Sequence, residues 1–483
     1  MPARTVTRPF AVCAALALLA GCGGSGADGS GTSGGNASAA RAPDVVPTKS
    51  RPPKPGRGSA DPDDINGDGH RDLLMKAAVP SPGQQGGPPP AVAVVFGSAR
   101  GLDPTTRTVY TSRELGLPAA EPPSTEAPLP DTTADLDDDG FPDFVTRGGE
   151  DVPAQERGPS GLAQRGVEYV TWGGPAGPRR AGAATRLRLP AQDAAEGYSG
   201  TVRGDFDGDG RHDLAGLRAD GTSVALLFGP FSRAGAAART ERRPLADAGP
   251  ASYGTLSADE PPAAGKPRTT GVYVHYGNDG EQSAGEYFAA RSDGGLAATS
   301  RTVRKGNGHA FGDFDGDGTR DLAVGDDGER NDEPGASKES ADVHGSYAVY
   351  PGGDGTVRTY RVPRIARLGS YTAVDPDGDG RDALLRDHPR TPVLIDRDRR
   401  TGRLVRKPPA RVDGMRVPAA SGWKQVHAAA DFDSDGKDEV VLSWTWTKLQ
   451  GTYGSTPTHW WLTDGVSARD DAVFSSRKFA PRA

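Results

Sequence analysis

The fold of this 483-residue chain is decided by one short stretch, Asp205-Phe206-Asp207-Gly208-Asp209-Gly210-Arg211-His212-Asp213, and by its copies. Carboxylates stand at its positions one, three, five and nine, and a glycine occupies position six. Copies of the pattern D-x-[DN]-x-D-G-x-x-[DE] begin at Asp64, Asp135, Asp313 and Asp431, and a copy that is one residue shorter begins at Asp375. A motif that recurs along the whole chain indicates a protein built of repeats.

The spacing of the copies predicts seven repeats rather than six. The interval between the copies at Asp205 and Asp313 is nearly twice as long as the others. Midway along it lie Asp259 and Glu260, followed by the apolar run 271–277. We interpret this segment as a repeat that has lost its acidic loop.

Each repeat offers about four short strands in roughly 60 residues, and no helical periodicity of useful length is present. Four-stranded units cannot bury both faces alone, but they can when they pack radially into a ring. The predicted fold is therefore all-β, a seven-bladed β-propeller of four-stranded antiparallel blades with Ca²⁺-binding loops. The strand-like runs that follow the loops are 92–97, 167–173, 224–229, 272–277, 346–352, 393–396 and 460–465.

The acidic loops have the composition of Ca²⁺ sites. Ca²⁺ takes six to eight oxygen ligands, from carboxylates and backbone carbonyls, and a glycine permits the tight turn between them. Side chains at positions one, three, five and nine and the carbonyl at position seven would hold about five or six structural Ca²⁺ ions. The predicted ligands are Asp64, Asn66, Asp68, His70 and Asp72; Asp135, Asp137, Asp139, Phe141 and Asp143; Asp205, Asp207, Asp209, Arg211 and Asp213; Asp313, Asp315, Asp317, Thr319 and Asp321; Asp375, Asp377 and Asp379; and Asp431, Asp433, Asp435, Lys437 and Glu439.

An EF-hand and a plain acidic turn both fit the loops less well than this Ca²⁺ site. An EF-hand or dockerin-like loop needs an acidic residue at position twelve, on a helix. An ordinary turn accounts for Asp and Gly, but not for a fourth carboxylate fixed at position nine. For the copy at Asp375, Ca²⁺ binding stays open. Position twelve is occupied, in chain order, by Met75, Thr146, Gly216, Val324, Arg386 and Leu442.

Residues 311–325, FGDFDGDGTRDLAVG, and 347–350, YAVY, resemble an FG-GAP (VCBS-type) repeat, the unit of the propeller in integrin α subunits. The resemblance covers nearly everything after residue 60. It implies a Ca²⁺-bearing propeller that acts in adhesion at the cell surface. The chain departs from the family at Asp259, in the loop at Asp375, and in the loss of most of the Gly-Ala-Pro element.

The N-terminus is predicted to direct export. Arg4 and Arg8 flank the start of an apolar stretch too short to cross a bilayer, and the stretch ends in the lipobox-like sequence Leu19-Ala20-Gly21-Cys22. We expect a bacterial lipoprotein signal peptide over 1–21, lipidation of Cys22, a disordered Gly/Ser/Pro-rich tether over 22–60, and the propeller over 61–483. The alternative is an ordinary signal peptide with a chance cysteine. Cys13 and Cys22 are the only cysteines, so we expect metal ions rather than disulfides to stabilise the folded domain.

The expected role is binding, by a lipid-anchored monomer on the extracytoplasmic face of the cell membrane that captures a protein or a glycan. The net charge of −7 and the lack of a basic helix or zinc signature argue against nucleic acid. No catalytic constellation is recognisable, but a carbohydrate-active lyase or hydrolase and a passive envelope scaffold remain alternatives. Recognition is expected opposite the metal loops, where strand alternation places the long connections 80–90, 115–131, 147–165, 326–344 and 447–457.

Three smaller features of the sequence are predicted to have structural rather than recognition roles. The tripeptide Arg203-Gly204-Asp205 matches the adhesive sequence RGD, but its Asp is already committed to the metal loop. His70 and His212 are expected to be exposed within their loops. The tryptophans of the last repeat are expected in the core and in ring closure, with a sugar-stacking platform as the alternative; they are Trp444, Trp446, Trp460 and Trp461.

Overall fold

The computed structural model describes most of the chain after residue 48, and every structural statement here concerns those residues. They all belong to one unit of the chain, Arg41–Ala483. Cys13, Cys22, Trp446 and most of the predicted tether lie outside them. The described residues are 49–78, 90–119, 129–157, 163–179, 182–246, 254–263, 267–277, 281–291, 293–330, 342–353, 355–362, 369–388, 391–412, 415–417, 423–445, 459–476 and 479.

The chain folds into seven antiparallel sheets, which are the blades of a β-propeller, as predicted. Blade 1 contains β1 (Leu73–Ala78), β2 (Pro90–Val95) and β3 (Arg107–Tyr110); blade 2 contains β4 (Thr132–Ala134), β5 (Asp143–Asp151), β6 (Gln164–Thr171) and β7 (Thr185–Arg186); blade 3 contains β8 (Tyr198–Gly204), β9 (Asp213–Arg218), β10 (Ser223–Phe228) and β11 (Arg239–Pro244). Blade 4 contains β12 (Gly254–Ala258), β13 (Val272–Tyr276), β14 (Gly285–Phe288) and β15 (Arg301–Val303); blade 5 contains β16 (Gly308–Gly312), β17 (Asp321–Gly325), β18 (Ser346–Tyr350) and β19 (Arg358–Arg361). Blade 6 contains β20 (Tyr371–Val374), β21 (Ala383–Arg386), β22 (Val393–Asp396) and β23 (Arg399–Arg403); a small pair, β24 (Arg411–Val412) and β25 (Met415–Arg416), precedes blade 7, which contains β26 (Trp423–Ala430), β27 (Glu439–Thr445), β28 (His459–Thr463) and β29 (Asp470–Ser475).

Strands pair in chain order within every blade, and the first strands of blades 2 to 4 and of blades 5 to 7 contact one another near the ring axis. The acidic loops join the first strand to the second, so they all lie at one end of the ring, here called the loop face. The opposite end is called the far face. Helix is limited, in the described part, to one 3₁₀ turn at Ala154–Glu156, and no helix there has the length and hydropathy needed to span a bilayer.

Blade 1 differs from the prediction, because its described part has three strands and no first strand. The residues before its loop cross the loop face instead: the Gly56 N–H donates to Asn66 O at 2.9 Å, and the Ser59 N–H donates to Gly140 O at 2.9 Å. This segment carries Pro52, Pro53 and Pro55. Proline has no N–H to donate to a strand ladder, which explains why the segment does not become a first strand.

The hydrophobic core lies between blades. Seven apolar clusters fill the seven interfaces of the ring, including the interface of blade 7 with blade 1. The middle strands are buried on both faces, as β9, β10, β17 and β18 show, and they are rich in Val, Leu and Ala. The outer strands are polar by contrast, for example RTERRP in β11, and charges on an edge strand discourage pairing with other chains.

Three tryptophans of the last repeat belong to this core. Trp460 packs in the interface of blades 7 and 1, and Trp444 and Trp461 pack in the interface of blades 6 and 7. All three are at most 5% exposed. The prediction of a core role is therefore confirmed for these three residues, and the prediction of a ring-closing role is confirmed for Trp460.

A contact between blade 1 and the C-terminal segment, here called the latch, also closes the ring. Arg107, on the outer strand β3, is buried and donates hydrogen bonds from Nε and Nη2 to Phe479 O at 3.3 and 3.1 Å. Its guanidinium lies 4.5 Å from the centroid of the Phe479 ring, which stacks on Phe474. Aromatic burial and a charge-assisted bond thus join the end of the chain to its first blade.

The latch predicts that Phe479→Ala destabilises the propeller. Truncation of a fully buried Phe costs about 3–5 kcal/mol, and here it also exposes the edge of the last interface. Urea unfolding followed by tryptophan fluorescence measures the change. Val405→Ala is the matched control, because Val405 is 60% exposed and should change stability by less than about 0.5 kcal/mol. Equal stability of the two variants would contradict the latch.

Candidate functional site: six acidic loops and a recess between two of them

The six acidic loops share one hydrogen-bonded conformation. In each, the carboxylate at position one accepts the backbone N–H of position six, at 2.7 to 3.0 Å. In the loop at Asp205, the same carboxylate also accepts the N–H of Asp209 at 3.1 Å. Position one therefore folds the loop around its own side chain. The N–H of position seven donates to the carboxylate at position five in every copy, from His70, Phe141, Arg211, Thr319, Arg381 and Lys437.

Positions four and six of the loops have left-handed backbone. At position six φ lies between 82° and 92°, which explains the glycine there in all six copies. At position four most copies also have glycine, but Asp138 and Ser434 adopt φ of 61° and 63°. The two alternating left-handed residues turn the chain so that the acidic side chains converge.

Position nine has a structural role in addition to its predicted role as a ligand. The Asp213 carboxylate accepts the N–H of Phe206 at 2.7 Å and the N–H of Gly229, after the third strand, at 2.9 Å. Position nine thus ties its own loop to the end of the third strand of the blade. Equivalent pairs of bonds are made by Asp72, Asp143 and Asp321, and Glu439 accepts the N–H of Phe432.

The structure brings three of the predicted side-chain ligands together in each of five loops, and in four of these loops the carboxylate at position five is not part of the group. Potential ligand oxygens lie within 4.8 Å of one another in each group, and position nine joins the group in four of them. In the remaining loop, Asn66 replaces the acidic residue at position three. The groups are Asp135, Asp137 and Asp143; Asp205, Asp207 and Asp213; Asp313, Asp315 and Asp321; Asp375, Asp377 and Asp379; and Asp431, Asp433 and Glu439.

Position three provides the test of whether a cation fits. Asn66 Oδ1, Asp137 Oδ1 and Asp315 Oδ1 are buried and accept no hydrogen bond from the protein. A buried polar atom without a partner is costly, so the unpaired oxygens of Asn66 and Asp315 indicate a missing electropositive partner. The Asp137 carboxylate is already paired through its other oxygen with Arg233 at 2.5 Å. Hard oxygen ligands of this kind are those that Ca²⁺ prefers.

The protonation of the loops supports the same fit. Burial raises the pKa of Asp143, Asp213 and Glu439 to about 8, and neighbouring carboxylates of the same loop add to the shift. The pKa of Asp135 and that of Asp205 rise to about 6 for the same reasons. The carboxylates therefore cannot all be ionised cheaply at neutral pH unless a cation compensates their charge.

The loop at Asp375 is not shortened, and the prediction of a missing residue was wrong. Asp375 accepts the N–H groups of Gly378 and Gly380 as position one does elsewhere, and β21 begins at Ala383 where β9 begins at Asp213. Ala383 therefore occupies position nine and Asp382 occupies position eight. This loop lacks its last carboxylate rather than a residue.

A residue shortly before the second strand of a blade, which is position eight where an acidic loop is present, links to the preceding loop at four places in the ring. His212 Nδ1 accepts the Asp135 N–H at 2.8 Å, and Thr270 Oγ1 accepts the Asp205 N–H at 2.9 Å. In the same way, Asp382 accepts the Asp313 N–H and Asp438 accepts the Asp375 N–H. The expectation that His212 is exposed was wrong: it is 7% exposed, and burial lowers its pKa to about 4, which keeps it neutral as an acceptor.

Blade 4 confirms the repeat without an acidic loop and shows what replaces the loop. Asp259 follows β12 directly, as position one follows the first strand elsewhere. Its buried carboxylate is paired with the guanidinium of Arg268 and lies 3.0 Å from Nε of Arg320. Two arginines therefore neutralise the one retained carboxylate.

The tripeptide at 203–205 is not available for recognition. Arg203 forms a bidentate ion pair with Asp63, from Nη1 to Oδ1 at 2.7 Å and from Nη2 to Oδ2 at 2.8 Å, and also contacts Glu260. Its side chain is 11% exposed, and Asp205 is buried in its loop. These contacts tie the segment before loop 1 to blades 3 and 4 near the axis.

A large recess opens on the loop face above blade 4, between the loops of blades 3 and 5. Its volume is about 900 Å³. The floor is formed by Asp259, Arg268 and Tyr287, and the walls include Arg301, Arg320 and Gly353. Recognition was predicted on the far face. The recess was not predicted, because the sequence does not show which residues become exposed where blade 4 lacks an acidic loop.

A polar pair lies in the axial channel. Ser257, on β12, lines a cavity of about 380 Å³, and its Oγ lies 2.8 Å from Nε2 of His309 on β16. Nδ1 of His309 lies 3.2 Å from the Asn307 carbonyl oxygen, which selects the tautomer with the proton on Nδ1. Burial lowers the pKa of His309 to about 4. Nε2 is thus a hydrogen-bond acceptor for the serine hydroxyl at neutral pH.

Comparisons with known proteins add little. No family model and no curated protein matches the sequence, so the FG-GAP resemblance is not confirmed. Among solved structures, crystals of BBS1N in complex with ARL6DN soaked with mercury and with lead match at 10% identity, over 84% of this chain and 93% of that chain, with TM-scores of 0.39 and 0.40. The V. cholerae biofilm matrix protein Bap1 matches at 12% identity, over 89% of this chain and 84% of that chain, with a TM-score of 0.28. Likeness of this degree carries no inference about function.

The loop geometry predicts that Asp315→Ala acts only through the cation. In saturating Ca²⁺ the substitution should lower stability by about 2–3 kcal/mol, the amount by which a ligand at about 100 times its Kd stabilises a fold. In excess chelator it should leave stability unchanged or raise it, since it removes one of several crowded carboxylates. Thermal unfolding in both conditions, with the bound Ca²⁺ counted by atomic absorption, provides the measurement.

Asp398→Ala is the control for this experiment, because Asp398 is 70% exposed in a turn and should have little effect in either condition. The parent chain itself should melt at a markedly lower temperature in chelator. An unchanged melting temperature would contradict the structural Ca²⁺ sites.

Proposed function

We propose that this protein is an exported, lipid-anchored, Ca²⁺-stabilised β-propeller that binds a protein or a glycan on the extracytoplasmic side of the cell membrane. The observation that carries this proposal is the recess of about 900 Å³ on a ring whose seven interfaces are closed. Recognition is commonly placed on loops that a rigid scaffold positions, and a recess of this size suits a ligand.

The acidic loops support the ring rather than form its binding surface. Their carboxylates accept backbone N–H groups within the loop, after the third strand, and, through position eight, across to the preceding loop. Sites of this kind fill where free Ca²⁺ is plentiful, which suits a protein outside the cytoplasm. With only Cys13 and Cys22 in the chain, Ca²⁺ takes the structural role that disulfides have in many exported proteins.

The far face offers a second surface for the same role. The five long polar connections join strand ends there, although much of their length lies outside the described residues. Much of the described part of the connection 147–165 is a strand pair rather than a loop, because β5 and β6 stay paired from Phe144 and Thr171 out to Asp151 and Gln164. A stiff hairpin that projects from a closed ring is suited to contact with a partner.

Anchoring through Cys22 is tested by Cys22→Ser, with Cys13→Ser as the matched control. Loss of the lipidated thiol should abolish labelling by radioactive palmitate and move the protein from the membrane fraction to the soluble fraction. Cys13→Ser should leave both unchanged, because residue 13 lies within the predicted signal peptide. A Cys22→Ser protein that stays lipid-labelled would contradict the anchor.

The same Cys22→Ser protein tests binding. Added to cells that lack the protein, it should bind their surface saturably, and incubation in excess chelator should remove that binding because the ring is destabilised. Non-saturable binding, or none, would leave the passive-scaffold alternative.

A second candidate function, hydrolysis of an ester, is favoured by one observation, the Ser257–His309 pair. A neutral imidazole 2.8 Å from a serine hydroxyl has the geometry of a general base beside its nucleophile. Hydrolysis of p-nitrophenyl acetate and labelling by a fluorophosphonate would both be lost in Ser257→Ala and kept in Ser467→Ala. No reaction of the parent chain with either reagent would remove this candidate.

A further inference from the structure

The recess lies above blade 4, whose connection between β12 and β13 does not carry the acidic pattern of the other loops. Its two sides are parts of the neighbouring acidic loops, at Asp207 and Gly208 in blade 3 and at Gly318 and Thr319 in blade 5. Of the blade 4 connection, the structure describes residues 259–263 and 267–271. The recess is therefore walled by two predicted Ca²⁺ loops and has a different chemistry at its floor.

The floor holds two guanidinium groups and two carboxylates. Arg268 donates to both oxygens of Asp259, which is 3% exposed, and Arg320 lies 3.0 Å from Asp259 and 3.8 Å from Asp382. These pairs leave Arg301 as the guanidinium of the recess without a carboxylate partner among the described residues. Arg320 also donates from Nη2 to Phe311 O at 2.8 Å, which holds its fork in place beside the recess.

Arg301 adds a third guanidinium, held in position by aromatic rings. Its carbon Cζ lies 5.0 Å from the ring centroid of Tyr287 and 5.3 Å from that of Tyr350. Among the described residues it makes one hydrogen bond, from Nη2 to Pro351 O at 3.3 Å. A guanidinium has five N–H donors in a planar fork, so Arg301 retains donors for a carboxylate or a sulfate.

The lining favours a sugar over a peptide. The one aromatic side chain among the lining residues, Tyr287, is 1% exposed and covered by Arg301, so it offers no pocket for a large apolar anchor. Peptide-binding sites usually take such anchors. Hydroxyl and backbone groups of Thr319 and the glycines instead suit a polar, hydroxyl-rich chain.

We infer that this recess binds an acidic polysaccharide, with Arg301, Arg320 and Arg268 receiving its carboxylate or sulfate groups. The inference rests on the proposed binding function and names the ligand class and the site. Because the walls are Ca²⁺ loops, the recess keeps its shape only while those loops are filled. Acidic-glycan binding is therefore Ca²⁺-dependent even though no ligand atom contacts the ion.

The test measures binding of the Cys22→Ser protein to defined oligomers by isothermal titration calorimetry in Ca²⁺. Oligogalacturonate supplies carboxylates, dextran sulfate supplies sulfates, and unmodified dextran is the neutral probe. A glutamate-rich peptide tests whether any acidic chain suffices. Binding is expected for one or both acidic glycans, with an affinity that falls as salt rises, and not for dextran or the peptide.

Two substitutions test whether the glycan binds in the recess. Arg301→Gln removes the charge and the fork, and should weaken binding about tenfold or more, as loss of a charged hydrogen bond does. Gly353→Glu puts a carboxylate into the recess. It should fold normally, because a Cβ at Gly353 meets no atom within 4 Å and its backbone is not left-handed. Gly353→Glu should abolish acidic-glycan binding, whereas Gly353→Ser should retain it.

Arg399→Gln controls for general electrostatic attraction, since Arg399 is 84% exposed at the turn between β22 and β23 on the same face of blade 6. It should change the affinity less than about twofold. Acidic-glycan binding that survives both Gly353→Glu and Arg301→Gln would overturn the site. Equal binding of dextran or of the acidic peptide would overturn the ligand class. Saturable binding to cells that none of the glycans competes would overturn the inference while leaving the proposed function intact.

Discussion

The rest of this structure depends on the gathering of carboxylates at each loop. Position one folds the loop by accepting two or more of its own N–H groups, as Asp205 does, and this brings positions three and nine within a few ångströms of it. Several buried carboxylates at such distances repel one another and lose hydration. We propose that a cation compensates them, and the unpaired oxygens at position three support this proposal.

This constraint is shared between neighbouring blades at four places in the ring, where a side chain of one blade holds the loop of the preceding blade. His212, Thr270, Asp382 and Asp438 each hold the start of the preceding loop in place. A loop that loses its cation therefore loosens a neighbour as well as its own blade. The seven apolar interfaces and the Arg107–Phe479 latch resist that loosening, so stability is divided between the core and the loop face.

The repeat count, the all-β class and the loop geometry could be predicted from sequence because they depend on local spacing. A carboxylate at position one and a left-handed glycine at position six determine the loop conformation without contacts from other blades. Features that depend on contacts between blades could not be predicted. His212 was misjudged because its partner, Asp135, lies in another repeat, and Asp382 was taken for position nine because it is acidic. The prolines before loop 1 were a local indication that blade 1 lacks its first strand. This indication was not used, because all repeats were expected to be equal.

The loss of one loop is what distinguishes the loop face chemically. The charge of a Ca²⁺ ion enclosed by protein oxygens is largely neutralised by its ligands within the loop, so the ion attracts an outside ligand only weakly. An arginine that replaces it is different, because a planar fork can pair with Asp259 through some of its donors and keep others for a second anion. In blade 4 the compensating charge is carried by Arg268 and Arg320, with Arg301 beside them in the recess. The repeat without an acidic loop thereby gathers guanidinium groups at the position where the other repeats gather carboxylates.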